Sequence, residues 1–195
     1  MPVYKLCKTE QSANRQRALE QGLLQAMLTS QYDEISVSDL CARLEIPRKA
    51  FYRYFDGKEG ALHALIDHTL MSYELYSVAY LDSEKRTLER DLEQFFRFWI
   101  QQKPLLDAMR RSGLSGVLIE RAIAQATSEL AIPRRFLVAE EERMQEHVTM
   151  FGICGLMSLV LQWHHDGYQD SPRFMASVAV RLLTRPLFPD AEKLV

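Results

Sequence analysis

Apolar residues along this chain recur at intervals of three and four, which is the spacing of one face of an α-helix. In the first such segment, from about Ser12 to Ser30, Leu19, Leu23 and Met27 share a face. No stretch alternates apolar and polar residues between turn dipeptides, as a half-buried β-strand would. The pattern therefore predicts an all-α protein of about nine helices.

Prolines, glycines and capping residues divide the rest of the pattern into segments. Ser36 precedes an apolar segment and Asp39 follows three residues later, which predicts a capping box at a helix start. The later helices are predicted over residues 37–44, 47–55, 58–81, 82–103, 105–111, 117–130, 138–165 and 173–184. Because the short helices precede residue 56, we expect an N-terminal arm and small domain over 1–56. Helix 58–81 should connect it to a helical bundle within 57–195.

Two short helices joined by a tight turn, with a helix before them, predict a helix-turn-helix domain. Such a domain places its second helix in the major groove of DNA. Phe51 and Phe55 lie four residues apart on that helix and should anchor it to the core. Four polar side chains then point away from the core: Arg48, Lys49, Tyr52 and Arg53. A solvated face of a helical bundle is the other interpretation of this pattern.

The net charge of the chain does not indicate DNA binding, whereas the local charge of one segment does. The chain has 195 residues with 24 basic and 26 acidic side chains, a formal net charge of −2. This balance argues against a protein that coats nucleic acid over its whole surface. From Arg48 to Lys58, however, four cations stand against the single anion Asp56. A compact basic patch of this kind is typical of a site-specific DNA-binding protein.

The same residues resemble the DNA-binding domain of the TetR family of transcriptional regulators. The resemblance lies in Ile35-Ser36-Val37-Ser38-Asp39-Leu40-Cys41 and in Arg48-Lys49-Ala50-Phe51-Tyr52-Arg53-Tyr54-Phe55-Asp56-Gly57-Lys58-Glu59. It is strong over residues 12–66 and extends weakly to the C-terminal helices through Trp163, Gly167 and Ser171-Pro172. The implied architecture is an N-terminal three-helix helix-turn-helix domain followed by a ligand-binding and dimerisation bundle.

The resemblance also implies which residues bind DNA. Ser38, Arg48, Lys49 and Ala50 fall where the family contacts base edges, and Arg53 where it contacts bases or backbone. Tyr52, Tyr54 and Lys58 fall where the family binds phosphates. It implies a homodimer on a palindromic operator, and a repressor that a small-molecule effector releases from double-stranded DNA. The alternative is a helical interaction protein whose helix-turn-helix no longer reads DNA.

Two residues depart from the family pattern. Glu45 stands where the family usually has a glycine in the turn, and a left-handed conformation there would cost about 1 kcal/mol. Pro47 stands where the family often has a serine cap, so the second helix would lose a side-chain acceptor for one of its first amides.

The bundle offers candidate surfaces for a second copy and for a ligand. Val148–Trp163 is apolar on nearly all sides, and its glycines would allow close approach of another helix. We expect a four-helix dimer interface formed by Gly152, Gly155, Leu156, Leu159, Trp163, Met175, Val178 and Leu182. An aromatic and methionine cluster is a candidate ligand pocket, although such stripes more often form a plain core: Phe95, Phe98, Trp99, Met109, Met150 and Trp163.

Other classes of protein find little support. Residues 113–117 resemble a nucleophile elbow only superficially, because Val117 replaces the second glycine and no strand precedes it. The histidines and cysteines lack zinc-ligand spacing, so we expect no enzyme, metal or cofactor. Val148–Trp163 is shorter than the ~20 residues of a membrane span. Widely spaced Cys7, Cys41 and Cys154, without a signal-like N-terminus, predict a cytoplasmic protein, although Cys7 is a candidate reactive thiol.

Overall fold

The structure is a computed structural model that describes residues 3–78, 87–126 and 142–185. These residues form nine α-helices, two short 3₁₀ helices at Tyr32–Glu34 and Glu142–Met144, and no β-strand beyond one isolated bridge between Tyr4 and Phe55. The helices are α1 (Glu10–Met27), α2 (Val37–Arg43), α3 (Arg48–Phe51), α4 (Lys58–Val78), α5 (Leu88–Gln101), α6 (Lys103–Arg111), α7 (Ser115–Ala126), α8 (Gln145–His165) and α9 (Pro172–Thr184). The predicted all-α class is confirmed.

Helix boundaries differ from the prediction where a proline or a cap was assigned to the wrong helix. Pro104 does not end α5, which stops at Gln101. It lies in the first turn of α6, where backbone N–H groups have no partner within the helix, so the N–H that proline lacks is not needed. Thr87 caps α5, since its hydroxyl accepts the amide of Arg90 at 3.3 Å. The predicted starts at residues 82 and 138 and the predicted end at residue 130 lie outside the described residues.

Contacts between helices divide the chain into two compact units. Unit 1 comprises Met1–Ser72 and Lys103–Gln125, and unit 2 comprises Tyr73–Gln102 and Ala126–Val195. Unit 1 thus includes α6 and most of α7 as well as the N-terminal helices, because α6 packs on α1. The functional division at residue 56 stays a prediction, since packing alone does not assign function.

Each unit has its own buried interior. Unit 1 buries side chains from α1, α2, α3, α4, α6 and α7: Leu23, Met27, Leu40, Phe51, Phe55, Leu62, Ile66, Leu106, Met109 and Leu118. In unit 2, α5 packs against α9 and contacts α8. The large residues buried there are Phe96, Trp99, Val160 and Trp163.

The apolar helix α8 is buried on one side only within the single chain. Thr149, Ile153 and Val160 are buried, whereas Phe151 is 73% exposed. An apolar side of this helix is therefore left uncovered by the chain alone. Among the residues described, no helix combines the length and apolarity needed to cross a bilayer.

Candidate nucleic-acid interface

A tight turn at residues 44–47 joins α2 to α3. The amide of Ile46 donates to the carbonyl of Cys41 at 3.0 Å, and the amide of Glu45 donates to that of Ala42 at 3.2 Å. This pair of hydrogen bonds is a Schellman motif, which requires a left-handed residue at its centre. Glu45 occupies that position with φ +52°, so the strained conformation expected at this departure is present.

The helices on either side of the turn begin close to the predicted residues, with one difference in the cap and one in length. The hydroxyl of Ser36 accepts the amide of Asp39 at 3.0 Å, which is one half of the predicted capping box, and donates to the Asp39 carboxylate at 2.6 Å. Pro47 occupies the N-cap of α3 and supplies no side-chain acceptor. The prediction that the second helix reaches Phe55 is wrong: α3 ends at Phe51 and the chain continues in turns. In these turns the amides of Tyr54 and Phe55 bond to the carbonyl of Phe51, while the carbonyl of Tyr54 and the amide of Asp56 bond to the N-terminal arm.

Two phenylalanines fix α3 against the core. Phe51 and Phe55 are fully buried, and their ring centroids lie 5.1 Å apart. Their burial leaves the opposite side of α3 and of the following turn in solvent. Both anchors were predicted from their four-residue spacing, and the structure confirms them.

Most predicted DNA-binding residues lie at the surface of this motif. Ser38, Arg48, Lys49 and Arg53 are exposed, Tyr52 is 43% exposed, and Ala50 and Tyr54 are half-buried. Within the described ranges, Arg48, Lys49 and Arg53 make no ion pair. Three uncompensated cations therefore share one face with two tyrosines, which is chemistry suited to bases and phosphates.

Lys58 differs from the other predicted contacts. Its ammonium donates to the carbonyl of Tyr32 and lies 4.1 Å from the centroid of the Tyr32 ring. Burial, with the nearby carboxylates of Glu59 and Asp33, raises the pKa of Tyr32 to about 12. In this conformation Lys58 ties the start of α4 to the loop before α2 rather than facing solvent.

The N-terminal arm, residues 3–7, lies beside the motif, and its contacts with the motif were not predicted from the sequence. The amide of Lys5 donates to the carbonyl of Tyr54 at 2.9 Å, and the amide of Asp56 donates to that of Val3 at 3.1 Å. Cys7 donates its thiol hydrogen to the side-chain oxygen of Gln16 at 2.8 Å. The arm is thus bonded to the residues that follow α3, a contact that no periodicity in so short a segment would indicate.

The arm is anchored on a buried polar cluster in unit 1. Tyr4 donates its phenolic hydrogen to Asp67 at 2.7 Å, and the guanidinium of Arg121 bonds both oxygens of that carboxylate. Burial and the hydrogen bond to Asp67 raise the pKa of Tyr4 above its usual value. Beside it, His68 lies 2.9 Å from the buried carboxylate of Glu20, and its ring contacts that of Tyr4 edge-on.

Comparisons with solved structures identify the fold. A TetR-family transcriptional regulator from Streptomyces coelicolor is 20% identical, over 88% of this chain and 79% of its own, with a TM-score of 0.55. The fatty acid degradation regulator FadR from Bacillus halodurans is 14% identical, over 93% of this chain and 98% of its own, with a TM-score of 0.61. The dihydroxyacetone kinase operon activator DhaS is 16% identical, over 86% of this chain and 93% of its own, with a TM-score of 0.55.

The chain has a TetR-like fold. At such low sequence identity these similarities establish the fold alone. No protein-family model matches the sequence, and no curated protein is similar enough to count as a match. The resemblance seen in the helix-turn-helix residues is confirmed at the level of the fold, and the role of each residue is left to experiment.

Within this TetR-like fold, the predicted ligand-pocket residues fall into three places. Phe95, Phe98, Trp99 and Trp163 are buried in unit 2. Met109 is buried in the core of unit 1, and Met150 is exposed on α8, so neither joins the aromatic cluster. Met109 and Met150 are therefore removed from the predicted pocket. The sequence of a helix that is apolar on several sides does not show which side faces the core.

The aromatic cluster has one unusual polar atom. Trp99 is 1% exposed, and its indole N–H has no hydrogen-bond acceptor in the described part of the chain. A separate open cavity of about 550 Å³ in unit 2 is polar instead, and contains none of the predicted pocket residues. Its lining is Tyr76, Arg90, Glu93, Gln94, Arg97, Ile100, Gln101 and Pro172.

The predicted dimer residues divide between the surface and the interior of unit 2. Gly155 and Leu182 are exposed, and Leu159 and Val178 are half-buried. The other four are corrected, because they are already buried within the single chain: Gly152, Leu156, Trp163 and Met175. Phe151 and Phe174 are exposed on the same two helices.

Proposed function

We propose that this protein is a sequence-specific DNA-binding transcriptional regulator. The observation that supports the proposal most directly is the exposed face of α3, where Arg48 and Lys49 lie beside Arg53 without an ion pair in the described residues. Cations left unpaired on a rigidly anchored short helix bind the phosphates and guanine edges of a major groove.

Each side chain in this face has a role that its chemistry supports. Arg48 suits bidentate bonds to a guanine, and the methyl group of Ala50 suits contact with a thymine methyl. Tyr52 and Tyr54 present hydroxyls that suit phosphate oxygens. Lys58 binds a phosphate in this proposal only after it leaves the carbonyl of Tyr32, so it contributes less than the exposed cations.

The proposed assembly is a homodimer that binds a palindromic operator. Exposed apolar side chains on α8 and α9 support a second copy as the partner, since Phe151, Phe174 and Leu182 would otherwise remain in water. Two-fold symmetry would present two copies of α3 to two half-sites. The proposed contact surface comprises Phe151, Gly155, Leu159, Phe174, Val178 and Leu182.

We further propose that the regulator is a repressor released by a small-molecule effector. The N–H of Trp99, which has no acceptor among the described residues, supports a ligand, because a buried donor without an acceptor costs about 1–3 kcal/mol that an acceptor on a bound molecule would recover. One neighbour of this fold is named an activator and another a regulator of fatty acid degradation. The direction of regulation and the effector are therefore to be measured on this chain.

Selection from random DNA tests the central proposal. The protein should enrich one palindromic sequence, and affinity for it should fall steeply with salt because phosphate contacts release counterions. Arg48→Ala combined with Lys49→Ala should lower operator affinity at least about 100-fold. Arg97→Ala, which removes an exposed cation from α5, is the matched control and should change nothing.

The outcome that supports the alternative is also definite. If no sequence is enriched, or if the double variant binds as well as the wild type, the helix-turn-helix does not read DNA. The protein would then be a helical interaction protein, the second candidate that the sequence left open.

A separate variant tests the dimer. A Cβ added at Gly155 meets no atom within 4 Å in the described chain, and the position is exposed, so we expect the single protomer to accept Gly155→Glu. In the proposed interface it would place a buried charge, and sedimentation should show monomers that no longer bind the operator. A variant that remains dimeric would show that α8 is not the contact surface.

A further inference from the structure

We propose that Lys5, on the N-terminal arm, contributes a phosphate contact beside Tyr54 when the protein binds DNA. The inference rests on the proposed DNA-binding function and extends the binding surface beyond the helix-turn-helix. It comes from the backbone pairing between the arm and the turn after α3, a contact that the resemblance does not include.

The register of this pairing decides where the Lys5 side chain lies. Tyr4 and Phe55 form an antiparallel bridge, with Lys5 opposite Tyr54 and Val3 opposite Asp56. Residues that face each other across such a pair have side chains on the same side, and successive residues alternate. Tyr4 bonds to Asp67 and Phe55 is fully buried, so this pair faces the core. Lys5 and Tyr54 therefore face the opposite way.

That opposite side is the proposed DNA-binding side. Lys5 is exposed, and it makes no ion pair in the parts of the chain that the structure describes. The amide of Lys5 donates to the carbonyl of Tyr54 at 2.9 Å, so the two residues lie side by side. The ammonium of Lys5 and the hydroxyl of Tyr54 can thus reach the same stretch of phosphate backbone. By the same alternation, the exposed side chain of Asp56, opposite Val3, lies on this side as well.

The arm is fixed before any DNA arrives, which lowers the entropic cost of using Lys5. The carbonyl of Lys5 accepts a hydrogen bond from the side-chain amide of Gln16 at 3.2 Å. A Cβ added at Gly60 would lie 2.1 Å from the carbonyl oxygen of Val3. The arm therefore rests directly on the first turns of α4 at a position where only glycine fits.

A salt titration of operator binding tests the role of Lys5. In fluorescence anisotropy with the selected operator, Lys5→Ala should lower affinity about fivefold at 0.1 M salt, and equally on unrelated DNA, because phosphate contacts do not discriminate between bases. The slope of log affinity against log salt should become shallower by about 0.9 for each arm, and by twice that for a dimer. Lys5→Arg should retain the wild-type slope, and Lys103→Ala, a cation on α6, should leave both measures unchanged.

A second variant separates the position of the arm from its charge. Gly60→Ala keeps Lys5 but displaces Val3, and circular dichroism verifies that it is folded. Gly60→Ala should reproduce the affinity loss and the shallower salt slope of Lys5→Ala. The variant that combines Gly60→Ala with Lys5→Ala should lose no more operator affinity than either single variant.

The possible outcomes distinguish this inference from the function on which it rests. If the wild type selects an operator but Lys5→Ala keeps its full salt slope, the arm does not contact DNA and the proposed regulator remains. If the wild type binds no DNA at all, the arm contact and the proposed function are both refuted.

Discussion

The two compact units of this chain bury different kinds of side chain. In unit 1, the carboxylates of Glu20 and Asp67 are 2% and 3% exposed, and each is paired with a cationic or titratable partner from another helix. Among its described residues, unit 2 buries no carboxylate and instead packs aromatic rings edge to face, such as Phe96 against Trp163.

The two kinds of interior stabilise the two units in different ways. A buried carboxylate needs partners at fixed positions, so the pairs in unit 1 hold α1, α4, α7 and the arm in one register. Aromatic packing has softer geometric demands and yields its stability from buried apolar area. We infer that the polar cluster holds the proposed DNA-binding surface in place, while the interior of unit 2 supplies most of that unit's stability.

Removing one ring from unit 2 should have the largest effect. Phe96 is fully buried between Phe95 and Trp163, at centroid distances of 5.3 and 5.6 Å. Phe96→Ala should lower the free energy of unfolding by about 3–5 kcal/mol, through lost transfer energy and the cavity left behind. Urea denaturation followed by tryptophan fluorescence measures it, since both tryptophans of the chain, Trp99 and Trp163, lie in unit 2.

The control for this variant is a large apolar residue of the same unit that lies in water. Leu75 is 75% exposed, and Leu75→Ala should change the free energy of unfolding by less than about 0.5 kcal/mol. A loss below about 1 kcal/mol in Phe96→Ala would mean that the aromatic interior is not the main source of stability in unit 2.

Removing one charge from unit 1 should have the next largest effect. Asp67→Asn keeps the shape of the side chain but leaves the guanidinium of Arg121, which is only 30% exposed, without a carboxylate. Since one partner of a mostly buried pair stays behind, the free energy of unfolding should fall by about 2–3 kcal/mol. Urea denaturation followed by circular dichroism, which detects the helices of both units, measures the change.

An ion pair in unit 2 provides the matched control. Glu93 and Arg97 lie four residues apart on α5, and the arginine side chain is 52% exposed. Glu93→Gln should therefore cost no more than about 0.5 kcal/mol. If fluorescence and circular dichroism give the same midpoint for Asp67→Asn, the two units unfold together; separate midpoints would show that each unfolds alone.

Local patterns predicted the parts of this fold that depend on neighbours in sequence. The helix-turn-helix followed from the Ser36 cap, the turn before Pro47 and the four-residue spacing of Phe51 and Phe55, all of which act within one or two helical turns. The anchoring of the arm did not, because Tyr4 and Asp67 are 63 positions apart along the chain. A single bridge leaves no periodic pattern to detect.

The apolar composition of a helix also did not predict which of its sides faces the core. In the stretch of α8 from Val148 to Trp163, where most residues are apolar, the sequence does not show that Trp163 faces the core while Phe151 faces outward. Packing against α9 sets that rotation. Half of the residues predicted for the interface are therefore buried within the single chain, and an interface formed by α8 and α9 stays a prediction.

The smallest predicted effect concerns one turn motif that occurs in both units. After α8, the amide of Tyr168 donates to the carbonyl of Trp163 and that of Gly167 to His164, with Gly167 at φ +74°. After α2, the same hydrogen bonds form around Glu45 at φ +52°. The turn after α8 thus has glycine in the left-handed position, as does the turn after α6 at Gly113, whereas the turn after α2 has a residue with a Cβ there.

Exchanging the residue types should move stability in opposite directions. Glu45→Gly should raise the free energy of unfolding by about 1 kcal/mol, since glycine adopts a left-handed conformation without the Cβ clash. Gly167→Ala should lower the free energy of unfolding by about the same amount. The cause is backbone strain alone, because a Cβ added at Gly167 meets no atom within 4 Å in the described chain. Glu45→Ala removes the carboxylate but keeps the strain, so it should change little. If Glu45→Ala stabilises as much as Glu45→Gly, the cost at this turn comes from the charge of Glu45 and not from its backbone.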